Sequence, residues 1–112
     1  MDFAFVTRKL ERQLTDGSAM SRAYGSRAPK LKIRLDLLRQ AQCLGDVPST
    51  PPDRRHALTG DRAGQFAVVI VDNWRLVFLP DHDPLPRLAD GGIDVTKVTA
   101  VKFLEVVDYH GN

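Results

Sequence analysis

Residues 65–71, Gln-Phe-Ala-Val-Val-Ile-Val, constrain the fold more than any other stretch of the chain. The run is apolar on both faces, as a central strand requires. Asp72-Asn73 follows, a two-residue turn in which both residues tolerate positive φ. Residues 74–79, Trp-Arg-Leu-Val-Phe-Leu, then pair back as a second strand. Trp74 and Arg75 alternate along it, so a Trp74 in the core sends Arg75 to the opposite face.

The other elements are arranged around this hairpin. Phe3 and Phe5 alternate with Asp2 and Ala4 and indicate a short first strand. Thr7 is placed to cap a helix through Leu14, with Leu10 and Leu14 on one face and Gly17 just past its end. Ser18 begins a second helical stretch, and Gly25 and Pro29 mark a break or a fresh start. From Pro29 to about Leu44, Leu31, Leu35 and Leu38 recur at helical spacing, and Ile33, Leu37 and Ala41 widen the stripe. Lys30, Lys32, Arg34 and Arg39 fall largely outside it, which predicts a helix apolar towards a sheet and basic towards solvent. Residues 45–53 contain Pro48, Pro51 and Pro52 and form a loop. Residues 80–97, with Pro80, Pro84, Pro86, Gly91 and Gly92, form an irregular excursion, and residues 98–109 supply a last strand. The order is strand, two N-terminal helices, then a small antiparallel set. It predicts an α+β domain with the helices packed on one face of the sheet.

At 112 residues the chain is read as one domain, spanning 1–112. The N-terminus is too short in apolar residues for a signal peptide, and nothing later approaches a membrane span. Cys43 is the lone cysteine, so an intramolecular disulfide and a multi-cysteine metal cluster are excluded. No metal or cofactor is expected, and a reducing cytoplasm is the natural setting. The net charge of +2 conceals a split. Residues 1–62 hold twelve Lys/Arg against seven Asp/Glu, a balance of +5, whereas residues 63–112 hold four against seven, a balance of −3. Between Arg22 and Arg39, six cations (Arg22, Arg27, Lys30, Lys32, Arg34 and Arg39) accompany only Asp36. Such a basic half suits nucleic acid, although it equally describes a solvated helix face.

Three histidines are present: His56, His82 and His110. His56 stands beside Arg54 and Arg55, and His110 closes the run Asp108-Tyr109-His110. His82 lies in the excursion and receives no role. Metal-free RNA cleavage needs a base for the 2′-hydroxyl, an acid for the leaving 5′-oxygen and a cation for the phosphorane. Histidine suits the acid or base task, because its unperturbed pKa is about 6.5. Asp108 could hold a histidine tautomer or accept the proton itself. Arg75 could supply a planar fork for phosphate, and Tyr109 could stack on a base or orient the sugar. The same Asp-Tyr-His could simply end an edge strand, and Gly60-Asp61-Arg62-Ala63-Gly64 reads as a tight turn that leaves Arg62 available to RNA backbone.

Three motifs carry a resemblance. The run from His56 to Gln65, His-Ala-Leu-Thr-Gly-Asp-Arg-Ala-Gly-Gln, resembles the segment that opens the sheet in HigB-type toxins of the RelE/ParE superfamily. Asn73-Trp74-Arg75-Leu76 is similar to the family's Asn-Trp-Arg after the first hairpin turn, and Asp108-Tyr109-His110 to its near-terminal Asp-Tyr-His. The resemblance implies a RelE-like fold and a ribosome-dependent endonuclease that cuts messenger RNA in the decoding site. It implies catalytic roles for His56, Asp108 and His110, support from Tyr109, and phosphate binding by Arg75. Arg54, Arg55, Arg62, Lys30 and Lys32 would contact RNA. The implied partners are the ribosome with its messenger, and a HigA-like antitoxin with a helix-turn-helix, which brings the pair to operator DNA. Two departures from the family pattern stand out. Thr59 replaces a lysine common in relatives, and the long 80–97 excursion is similar to a branch labelled killer or killer-suppression proteins. A ParE-like gyrase inhibitor and an inactive, antitoxin-binding co-repressor share the fold and are the alternatives.

Overall fold

The computed structural model describes residues 1–108. Strand β1 (Asp2–Phe5) leads into three helices, α1 (Arg8–Thr15), α2 (Gly17–Tyr24) and α3 (Ala28–Gln40). Four further strands follow: β2 (His56–Ala57), β3 (Phe66–Val71), β4 (Trp74–Pro80) and β5 (Ala100–Asp108). They form one sheet in the order β1-β5-β4-β3-β2. The expected β3–β4–β5 set is antiparallel, and β2 extends it in the same sense. β1 instead runs parallel to β5; the helices carry the chain from β1 at one edge to β2 at the other, and the sheet then returns strand by strand to β5.

Local signals explain the helix boundaries. Thr7 Oγ1 accepts from the Leu10 amide at 3.1 Å, and Asp16 Oδ1 accepts from the Ser18 amide at 3.0 Å, capping α1 and α2. Asp16 thereby ends one helix and starts the next, so Gly17 opens α2 rather than lying beyond α1. Gly25, at φ 56°, closes α2, and Pro29 sits in the first turn of α3. α3 stops at Gln40, short of Leu44, because Ala41 turns extended. That turn sends Leu44 and Val47 into the core.

The register separates the two faces of the sheet. On one face Phe66, Val68, Ile70, Leu76, Phe78, Val101 and Phe103 pack against Leu10 and Leu14 of α1, Met20 of α2, and Leu31, Leu35 and Leu38 of α3. Phe103 lies at the centre, with ring centroids 4.7 Å from Phe3 and 5.9 Å from Phe78. The opposite face carries a smaller cluster of Leu58, Ala67 and Val77, flanked by Leu104 and Val107. Two expectations for α3 are corrected. Ile33 is 57% exposed, whereas Arg34 is buried at 6%. Positions 31, 34, 35 and 38 share the inward stripe, so helical geometry carries Arg34 inward and leaves Ile33 outside.

In the hairpin turn Asp72 alone takes a left-handed φ, 53°, and a register shift between Val69 and Val71 accommodates it. The 80–97 excursion is irregular but anchored. Arg87 bridges Ile93, and the Leu44 amide donates to the Val98 carbonyl at 2.9 Å. Among the described residues, no helix is long and apolar enough to cross a membrane.

Candidate nucleic-acid site

The site lies where β2 ends beside β3. A concave pocket of about 520 Å³ is lined by Ser49, Thr50, Pro51, Arg54, Arg55, His56, Val69 and Arg75. Three cations and two hydroxyls line it without a carboxylate, a composition suited to an anion. The proline-rich loop supplies one wall. Arg54 adopts φ 47°, its amide donates to the Thr50 carbonyl at 3.0 Å, and Arg55 Nε donates to the Val47 carbonyl at 2.9 Å.

His56 is half-buried and in register with Ala67. Its Nδ1 lies 2.7 Å from the Arg54 carbonyl oxygen. A carbonyl only accepts, so the neutral ring carries its proton on Nδ1 and keeps Nε2 as an acceptor. That is the state a general base needs. Arg75 enters from β4, in register with Val69 on one side and Val107 on the other. Its Nη1 donates to the carbonyls of Asp72 at 2.8 Å and Trp74 at 3.3 Å, which holds the guanidinium near the hairpin turn. Trp74 turns to the other face, where it packs against the main core with the Arg27 guanidinium 4.1 Å from its ring centroid.

The structure thus brings His56, Arg54, Arg55 and Arg75 together. Asp108 is exposed at the end of β5, in register with Trp74, and is not among the pocket's lining residues. Tyr109 and His110 lie outside the described residues. Arg62 is elsewhere on the same face, where it bonds Glu105 at 2.8 Å and Gln65 at 3.0 Å, pinning the Gly60–Arg62 turn onto β5. Lys30 and Lys32 are exposed on α3, and Lys32 pairs with Asp36 at 3.1 Å. His82 Nε2 accepts from the Thr99 amide at 3.0 Å and anchors the excursion.

A second cationic cleft was not anticipated. Arg8, Lys9 and Arg12 of α1 face Arg22 of α2 across about 410 Å³, over a floor that includes Ala19 and Ala23. The legible signal was Arg8 and Arg12 at i, i+4, which share one helix face. Among the described residues no cluster of three or more His, Cys, Asp or Glu side chains could hold a metal.

Set beside solved structures, this architecture is the RelE-like α+β fold. One similar structure is a YoeB/ParE toxin from Agrobacterium tumefaciens, with TM-score 0.53 and 14% identity over 99% of this chain and 100% of that one. Another is a YafQ mutant from E. coli, with TM-score 0.54 and 16% identity over 94% of this chain and 89% of that one. At such identities the likeness concerns the fold. No protein-family model and no curated protein matches the chain.

Proposed function

We propose that this protein is the toxin of a toxin–antitoxin system, of the HigB kind, and cuts messenger RNA on the ribosome without a metal. The observation that carries the reading is His56, with Nδ1 against the Arg54 carbonyl at 2.7 Å, in one pocket with three arginines. His56 Nε2 takes the proton from a ribose 2′-hydroxyl, and that oxygen attacks the adjacent phosphorus. The 5′-oxygen leaves and a 2′,3′-cyclic phosphate forms. Arg75 and Arg54 face the charge that builds on the phosphorane.

Protonation of the leaving oxygen falls to the near-terminal Asp108-Tyr109-His110 segment. That assignment rests on the Asp-Tyr-His motif: Val107 pairs with Arg75, but Asp108 pairs with Trp74, on the face away from the pocket, so His110 is the member of the motif that the test replaces. The cleft of Arg8, Lys9, Arg12 and Arg22 supplies a second contact for RNA phosphates, as the ribosome would offer. In this reading the protein acts in the cytoplasm, and a HigA-like antitoxin restrains it and carries it to operator DNA. The test is induced expression in cells beside His56→Ala and His110→Ala. Growth arrest by the parent and relief by both folded variants support the nuclease. Arrest that survives both substitutions refutes it, and supercoiling of purified DNA by gyrase then becomes the assay.

A further inference from the structure

Two charged side chains are buried among the described residues, Arg34 at 6% and Asp53 at 7% exposure, and neither lines the pocket. Arg34 Nε and Asp53 Oδ1 are 3.5 Å apart. Removing two charges from water is costly, and apolar residues of similar volume often serve the fold equally well. The pair therefore invites a role beyond filling space.

Its surroundings show one. β2 is only two residues long and pairs with β3 at Phe66 and Ala67, so it does not reach Val69. There the Asp53 carbonyl accepts from the Val69 amide at 2.8 Å, and Arg34 Nε donates to the Val69 carbonyl at 2.7 Å. Helix α3, the proline-rich loop and the β3 edge are tied at that residue. The next residue along the loop is Arg54, whose φ of 47° is unfavourable for a side chain with a Cβ and persists only where its neighbours hold it. Asp53 is the anchor on one side and β2 the anchor on the other. The held carbonyl of Arg54 is the one that faces His56 Nδ1.

We propose that Arg34 and Asp53 form a positioning pair, which holds Arg54 in its left-handed conformation and thereby fixes the His56 tautomer that leaves Nε2 open to substrate. The pair touches no reacting atom. The catalytic consequence rests on the nuclease reading, but the tautomer itself does not.

The experiment compares the full chain with Arg34→Met/Asp53→Leu and with the near-isosteric Asp53→Asn. Thermal unfolding confirms folding, and ¹⁵N chemical shifts of the His56 ring at pH 8 report which nitrogen is protonated. Cleavage of a reporter message in translating extract gives kcat and KM. The parent should show the Nδ1–H form. Folded variants should move towards the Nε2–H form and lose about 100-fold in kcat, the scale expected for a displaced catalytic group, with little change in KM. Folded variants that keep the parent's tautomer overturn the proposal. So does the unfolding of both, which would make the pair a determinant of the fold only. If the parent cuts no message but the tautomer still moves in the variants, the positioning stands and the nuclease reading falls.

Discussion

Replacing Arg75 by alanine separates chemistry from folding more cleanly than any other change in this pocket. The side chain is half-buried, and its hydrogen bonds run to the Asp72 and Trp74 carbonyls at the hairpin turn. A bond of this kind contributes about 1 kcal/mol net to stability, which corresponds to a fall of roughly 5 °C in Tm for a domain of this size. The core beneath, Leu76 and Phe78, lies on the opposite face and is untouched. Loss of a preorganised donor to a developing oxyanion costs about 100- to 1000-fold in kcat, or roughly 3–4 kcal/mol. Arg75→Ala should therefore remain folded and cut a reporter message about 100-fold or more slowly under single-turnover conditions. Arg75→Lys should fall between the two, because it keeps the charge and loses the planar fork. An Arg75→Ala protein that is folded and cuts within about threefold of the parent would refute the assignment of phosphate binding.

Three other predictions draw on different parts of the molecule. Phe103→Ala removes a ring with no exposure that links β1 to the helix-covered core, and should cost about 3–5 kcal/mol in denaturant unfolding. Asp16 accepts from the Ser18 hydroxyl and amide, and these bonds hold its carboxyl below the usual range. Its contribution is thus complete above the unfolded pKa of about 3.9 and is lost as pH falls through the lower folded value. The gap in Tm between the parent and Asp16→Ala should be constant above about pH 5 and shrink below about pH 4. Arg12→Glu should weaken binding to ribosomes and reduce the slope of log affinity against log salt by about 1, measured by co-sedimentation across a salt series.

The elements built on periodicity were legible in the sequence. The apolar run from Phe66 to Val71, the turn at Asp72, the cap at Thr7 and the break at Gly25 stand as the local pattern indicates. The faces of β4 were legible too, because alternation alone sends Trp74 and Arg75 apart. The rest depended on contacts between distant segments. A parallel β1 leaves no mark in four residues, and α3 looks amphipathic whether Ile33 or Arg34 faces inward. Only the meeting with Asp53 and Val69 accounts for a buried arginine. At the site, His56 and Arg75 stand out in the sequence, but what leaves His56 Nε2 as an acceptor is the Arg54 carbonyl. That carbonyl is set by a backbone angle that no residue type specified. Arg62 shows the reverse case, since a cation suited to RNA is engaged with Glu105 and Gln65 across the sheet.

The proposed nuclease requires the His56 pocket to cut messenger RNA as it is translated. The direct measurement adds the purified, folded protein to a translating extract with a reporter message and maps the new 5′ ends. The expected cuts lie inside codons, leave 2′,3′-cyclic phosphate on the upstream fragment, vanish when translation is blocked, and are absent with His56→Ala. An intact message beside actively translating ribosomes, or cuts that His56→Ala leaves unchanged, would contradict the proposal.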